Sequence, residues 1–253
     1  MYRLMVADFI RLLRDKKIIL ASFLYFFFGD LLLTIISNVG TSAEVEFYAD
    51  ELIMDRASAI PFLLAIFTGL FVYTDFREGT IRNKVISGAK RSEIIGSMVV
   101  VSSVFAVYLC ALIHILALLF GLFYKTGFLD TPANLLTYTL VHTGSAVALA
   151  IFFTVITYLF GTNSFGAFLP ISLCVLSGIV TLVITNDLFP DDGNCRLSPE
   201  TYRIYHFIDA YSPTSYLDGM LRHGISSFCI SVSATIILSL VIGLIVFSRK
   251  DLK

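Results

Sequence analysis

The sequence predicts an all-α membrane protein with about six transmembrane helices. Hydrophobic residues make up 57% of the 253 residues. Charged residues make up only 15%, whereas ~25% is usual for soluble domains. The apolar residues lie in long runs with few charges, and a run of about 20 such residues crosses a bilayer as one helix. Because these runs are too long and continuous for barrel strands, helices are the predicted way of pairing the backbone in hydrocarbon.

Six apolar runs are candidate spans within a single membrane domain that covers residues 1–253. The third run is longer than one straight span needs, which predicts a tilt or a projection into water. The uncharged stretch from 131 to 186 is too long for one helix, and Gly-Thr-Asn-Ser-Phe-Gly at 161–166 predicts a turn that divides it. The predicted spans are 18–39, 57–75, 94–124, 134–160, 167–186 and 225–247.

Lysine and arginine are distributed unevenly among the loops. If there are six spans, the N-terminus, the loop after the second span and the C-terminal tail share one side. That side carries 13 Lys and Arg residues, and the other side carries five. Cytoplasmic loops carry this excess, so both ends are predicted to be cytoplasmic in a protein of the cell membrane. The net charge of −1 lacks the cationic surplus that nucleic-acid binding requires.

Motifs of catalysis and of cofactor binding are missing from the sequence. It contains no Gly-x-x-x-x-Gly-Lys-Ser/Thr, no His-Glu-x-x-His and no Gly-x-Ser-x-Gly. The four cysteines form no Cys-x-x-Cys pair and no cluster with histidine. No catalytic, cofactor-binding or metal-ligating residue is therefore predicted, and the chain is not expected to be an enzyme.

Residues 2–16 have the pattern of an amphipathic helix. Tyr2 and Phe9 fall on one face, and Asp8 and Arg11 fall on another. Such a helix suits the inner surface of the membrane, where its apolar stripe enters the headgroup region. The alternative is a plain extension of the first span.

The loop after the second span is basic and predicts a short helix. Thr80 is the expected N-cap of a helix over 81–87, and Gly88 is its expected C′ residue. Arg82 and Lys84 are predicted to point outward. The expected apolar contacts come from Ile81, Val85 and Ile86. The interpretation is a cytoplasmic docking knob, and the alternative is a positive anchor with no partner.

The segment between the fifth and sixth spans predicts two short outer helices. Ser198 and Pro199 give an N-cap and the first helical position. The sequence from Tyr211 to Tyr216 ends this helix, and Leu217 and Leu221 lie in the second. The residues predicted to share the apolar face of the first are Ile204, Phe207, Ile208 and Tyr211. The segment would cap a pathway or dip into the membrane, and the alternative is an ordinary folded loop.

Two ionisable residues stand out inside the predicted spans. Asp30 lies in the first span and His114 in the third. Ionisable groups at membrane depth are costly and often functional, so both are pathway candidates. The alternative for each is a packed residue bonded to a neighbouring helix.

The order of these features resembles the ABC-2 type permeases, which are membrane subunits of ABC exporters, including small peptide, lantibiotic-immunity and drug export permeases. The strongest likeness is Glu78-Gly-Thr-Ile-Arg-Asn-Lys-Val-Ile-Ser-Gly88 with Arg91 after it. Tyr211-Ser-Pro213 and the ending 247–253 are also similar to that family. The likeness in segment order covers the whole chain, whereas the specific motif covers ~15 residues.

The resemblance implies that ATP binding and the transport pathway belong to different subunits. ATP and Mg would be held by separate ABC ATPase subunits, and the pathway would lie between this chain and a second permease, either a copy or a related chain. Contacts with membrane lipid, and cargo that is a peptide, a lipid-like or a drug-like amphiphile, are also implied. The implied ATPase-coupling residues are Glu78, Gly79, Thr80, Ile81, Arg82, Asn83, Lys84, Ser87 and Arg91. The implied outer gate residues are Ile204, Phe207, Tyr211 and Pro213.

Other functions remain as alternatives. A standalone channel or secondary transporter would need charged residues facing each other in several spans. A membrane enzyme would need paired acids or a Ser/His pair at membrane depth, and only Asp30 and His114 are candidates. A purely structural or sensory membrane subunit is a further alternative. The permease requires an ATPase partner, and none of these alternatives does.

Overall fold

The structure is a computed structural model, and every regular element in its described part is a helix or a 3-10 turn. The described residues are 2–15, 19–29, 48, 53, 56–124, 131–161, 164–190, 197–217 and 222–249. The α-helices are α1 (Tyr2–Arg14), α2 (Ile19–Gly29), α3 (Ile60–Arg77), α4 (Thr80–Ile86), α5 (Arg91–Tyr124), α6 (Pro132–Phe160), α7 (Ser164–Leu188), α8 (Pro199–Tyr211) and α9 (Gly224–Arg249). A 3-10 turn, Ser215–Leu217, follows α8.

Among the described residues, five helices are long and apolar enough to cross a membrane: α3, α5, α6, α7 and α9. This confirms the coarse prediction of a multi-pass helical membrane protein. The predicted break at 161–166 is also confirmed, because α6 ends at Phe160 and α7 begins at Ser164. Of the predicted first span, the structure describes the apolar helix α2, and the remainder of that span lies outside the described residues.

Helix α6 lies at the centre of the bundle and packs against α3, α5, α7 and α9. Aromatic side chains fill the contacts around it. The ring centroids of Phe67 on α3 and Phe105 on α5 are 4.1 Å apart. At one end of α6, the Tyr158 ring meets Phe76 of α3 and Phe247 of α9 edge-on. By contrast, α7 and α9 leave much of their apolar surface exposed, as expected of helices that face lipid.

Helices α3 and α7 approach each other closely at a glycine. A Cβ added at Gly69 of α3 would collide with the backbone carbonyl of Ala167 on α7. Small residues allow this kind of close backbone approach between membrane helices. The contact fixes the α3–α7 distance at this level of the bundle.

We expect Gly69→Ala to destabilise the fold by about 1–3 kcal/mol, because the new methyl group pushes two backbones apart. The check is the temperature at which the purified protein loses its monodisperse peak on size-exclusion chromatography. Gly178→Ala on α7 is the matched control, since a Cβ there meets no atom within 4 Å. A Gly69→Ala variant as stable as the control would contradict the assigned contact.

Candidate functional site

The predicted docking segment is a short helix held between two left-handed glycines. Gly79 has φ 68° and is the N-cap of α4, so the prediction of Thr80 as N-cap is wrong by one residue. Gly88 has φ 91°, as predicted for the C′ position. The amide of Gly88 donates to Val85 O at 3.0 Å, and that of Ala89 donates to Lys84 O at 3.1 Å. This pair of bonds is the Schellman ending of a helix, and it fixes where α4 stops.

Lys84 does not point outward, so that prediction is wrong. Its side chain is only 11% exposed, and its Nζ donates to Asp8 Oδ1 of α1 at 2.7 Å. The physical reason is that Asp8 and Asp75 are both buried and need a cation close by. The sequence pattern showed Asp8 on the polar face of α1 but gave no sign of which helix that face meets.

Lys84 belongs to a buried ion cluster that joins α1, α3, α4 and α5. Asp75 forms an ion pair with Arg11, and its Oδ2 lies 3.6 Å from Lys84 Nζ. Ser97 of α5 donates to the second carboxylate oxygen of Asp8 at 2.7 Å. Two cations therefore balance two carboxylates, and the side chains of both carboxylates are at most 4% exposed.

Arg11 also makes contacts outside its ion pair. Its Nη2 donates to Phe71 O at 3.1 Å, and its guanidinium lies 4.1 Å from the centroid of the Phe71 ring. This combination of a carboxylate, a carbonyl and an aromatic face suits arginine. The amphipathic helix α1 is thus fastened to α3 by its polar face. Its apolar face, with Val6, Ile10 and Leu13, is exposed.

The other face of α4 is exposed. Arg82, Asn83 and Ser87 are exposed there, and Ile86 is 73% exposed. Ile86 was predicted to make an inward contact, and that prediction is wrong, because its position on α4 is opposite the buried Ile81. The preceding turn is also at the surface, where Arg77 and Glu78 lie 3.8 Å apart. The segment thus has an anchored face and an exposed face that combines cationic, polar and apolar groups.

Arg91 has a different position from the rest of the predicted coupling set. Its Nη1 donates to Phe247 O at 3.2 Å and to Ser248 O at 2.9 Å. These are carbonyls of the last turn of α9, which lack partners within their own helix. A cation there also interacts favourably with the helix dipole. Arg91 therefore ties the start of α5 to the end of the last span.

The pathway candidate His114 faces a second histidine that the sequence reasoning missed. The ring centroids of His114 on α5 and His142 on α6 are 6.1 Å apart. His114 Nδ1 lies 2.7 Å from Cys110 O of its own helix. His114 Nε2 and His142 Nδ1 have no hydrogen-bond partner within the described residues. The sequence could have indicated this pair, because His142 is an ionisable residue inside the fourth predicted span, 134–160. Asp30 lies outside the described residues.

The outer segment begins as predicted, with Ser198 as the N-cap of α8 and Pro199 in its first turn. The four residues predicted to share the apolar face of this helix, Ile204, Phe207, Ile208 and Tyr211, are all exposed. Pro213 follows in the partly buried turn that ends α8. Of the predicted second short helix, Leu217 lies in the 3-10 turn and Leu221 is outside the described residues.

The opposite face of α8 attaches it to the bundle. Asp209 is buried and accepts from His223 Nε2 at 2.7 Å, a pair that the sequence reasoning missed. Tyr216 donates to Ala210 O at 2.6 Å. Burial raises the pKa of Tyr216 to about 12, with a further contribution from Asp209. Its hydroxyl therefore stays protonated and remains a donor over the physiological pH range.

No group of three His, Cys, Asp or Glu in the described ranges is arranged to hold a metal ion. The ion cluster pairs charges between helices. Comparison with known protein families and with curated proteins gives no match to the chain. The features of the described structure that bear on function are therefore α4 and the ion cluster beneath it.

Proposed function

We propose that this chain is the transmembrane permease subunit of an ABC exporter of the cell membrane. In this proposal both termini are cytoplasmic, and α4 docks onto a separate ATPase subunit. ATP and Mg bind to that partner, and the pathway forms against a second permease, either a copy or a related chain. The cargo class is a peptide, lipid-like or drug-like amphiphile.

The observation that carries the proposal is the two-sided character of α4. One face presents Arg82, Asn83 and Ile86 to the outside. The other face is fixed through Lys84 to carboxylates on α1 and α3. An exposed apolar anchor beside an arginine is a typical composition for a protein-docking surface. A displacement of α4 by a docked partner would be transmitted through Lys84 to α1 and α3. A loop that only joins two spans would need no buried ion pairs.

The placement of α1 supports the same orientation. Its apolar face points away from the bundle while Asp8 and Arg11 bind the bundle. An exposed apolar stripe of this kind suits the boundary of headgroups and acyl chains. At that boundary α1 would hold α4 at the membrane surface, on the side where the basic loops place the cytoplasm.

The proposal is tested by photocrosslinking from Asn83 in intact cells. A photoreactive amino acid at this exposed position is expected to capture an ATP-binding protein. The same amino acid at Tyr202, which is exposed on α8, is expected to capture none. Arg82→Glu should lower the crosslink yield from position 83 at least fivefold, because it reverses the charge of the docking face. Crosslinks from Asn83 to lipid alone would contradict the docking role and favour a standalone channel.

A further inference from the structure

A cleft opens between α3 and α7 at the end of the bundle away from the ion cluster. Its volume is about 290 Å³, near the lower limit of the ~300–1,000 Å³ found for small-molecule sites. The turn after α8 closes one side of it. The lining includes Pro61, Ser177, Gly178, Thr181, Leu182 and Thr214.

The path of the two helices accounts for the cleft. They are in contact where Gly69 meets Ala167. The cleft lies further along both helices, next to Pro61 and Gly178. Thr214, in the turn after α8, reaches across to α7, where its Oγ1 lies 3.2 Å from Thr181 Oγ1. The outer segment thus forms one wall of the space between α3 and α7.

Gly178 keeps this space open. Glycine inside a helix is less favourable than alanine, and it is usually explained by a close approach of another backbone. Here a Cβ would meet no atom within 4 Å in the described part of the chain, so packing between the described helices does not explain the residue. A larger side chain at this position would occupy the cleft.

The lining selects for an uncharged ligand. None of the lining residues in the described part of the chain carries a charge. A charged group that left water for this site would lose hydration without gaining a partner. Hydroxyl groups are present at Ser177, Thr181 and Thr214, and the Ser177 hydroxyl already donates to Cys174 O at 2.9 Å. The oxygens of these hydroxyl groups can still accept a hydrogen bond, while Pro61 and Leu182 supply apolar contact.

We propose that this cleft binds a neutral single-chain amphiphile from the surrounding membrane, with its chain against the apolar wall and its hydroxyl head on the threonines. The exposed apolar surface of α7, including Val175, Ile179 and Val183, gives such a molecule access from lipid. The site does not depend on the docking role of α4, so either conclusion can fail without the other.

The test is photolabelling of the purified full-length chain in phosphatidylcholine nanodiscs. The probe is a monoacylglycerol with a diazirine in its chain, and the two comparison probes are a fatty acid and an alkylamine with the same chain. Peptide mass spectrometry is expected to locate the monoacylglycerol label on residues 174–182. Excess unlabelled monoacylglycerol should compete for this labelling. The charged probes should label the same segment at least fivefold less.

Variants of α7 decide whether the label reports the cleft. Gly178→Phe should reduce labelling at least fivefold, whereas Leu176→Phe adds bulk at a side chain that is 57% exposed and does not line the cleft, so it should change nothing. If Gly178→Phe does not fold, Thr181→Val removes a head contact and should lower labelling two- to threefold. Uniform labelling of α7 and α9, or equal labelling by the fatty acid, would overturn the proposal.

Discussion

Replacing Asp75 with asparagine is expected to cause the largest loss of stability in this chain, about 3 kcal/mol. The substitution keeps the shape of the side chain and removes one of the two carboxylates from the buried cluster. Arg11 and Lys84 are then left with Asp8 alone. The estimate is at the low end for a broken buried pair because the Arg11 side chain is 31% exposed. The measurement is the thermal midpoint of the monodisperse protein in detergent.

The control for Asp75→Asn restores the charge balance of the cluster. The double variant Asp75→Asn with Arg11→Gln again has equal numbers of cations and carboxylates. It should recover at least half of the lost stability, since residues of one ion network couple strongly. A double variant that is no more stable than Asp75→Asn alone would contradict the explanation of the loss by charge imbalance.

Replacing Lys84 with methionine is expected to separate docking from coupling. Methionine keeps the length of the side chain but cannot pair with Asp8, so α4 is no longer fixed to α1. The exposed Arg82, Asn83 and Ile86 are unchanged, so we expect the proposed ATPase partner to bind still. Transport per ATP hydrolysed should fall at least tenfold. The assay measures the rate of transport and the rate of ATP hydrolysis in the same proteoliposomes.

Two further variants distinguish lost coupling from lost folding. Lys90→Met removes a cation from the same segment at an exposed position, and it should leave the coupling ratio unchanged. Lys84→Met combined with Asp8→Asn removes both charges and should regain stability without regaining coupling. If this neutral pair transports normally, the ion pair has no role in transmitting movement.

The sequence alone predicted the elements of this fold well because their signals are local. Apolar runs define the five described spans. Gly88 marked the end of α4, because the position after the helix has the left-handed backbone that glycine favours. The N-cap of α8 at Ser198 could also be predicted, because its hydroxyl oxygen accepts a hydrogen bond from the amide of Thr201 in the same turn. Each of these features depends on residues within a few positions of one another.

The candidate site was less predictable because its bonds join distant parts of the chain. Asp8 and Lys84 are 76 residues apart, and Asp8 and Ser97 are 89 apart. The helical periodicity of residues 2–16 placed Asp8 on the polar face of α1. It did not show that this face packs against the protein. The same limit explains the Asp209–His223 pair, in which Asp209 lies in α8 and His223 lies in the turn before α9. The prediction for Ile86 was wrong because the sequence of a short helix does not show whether an apolar residue faces the protein or the outside.

The most direct test of the permease proposal is gentle purification of the chain from its native membrane, followed by identification of the proteins that accompany it. The account predicts a separate ABC ATPase in the preparation, with ATP hydrolysis, and predicts that Arg82→Glu combined with Ile86→Glu removes this partner while the chain stays monodisperse. A folded chain that is recovered alone, and that conducts ions or solutes without ATP, would contradict the account. The His114–His142 pair would then be the first group to substitute.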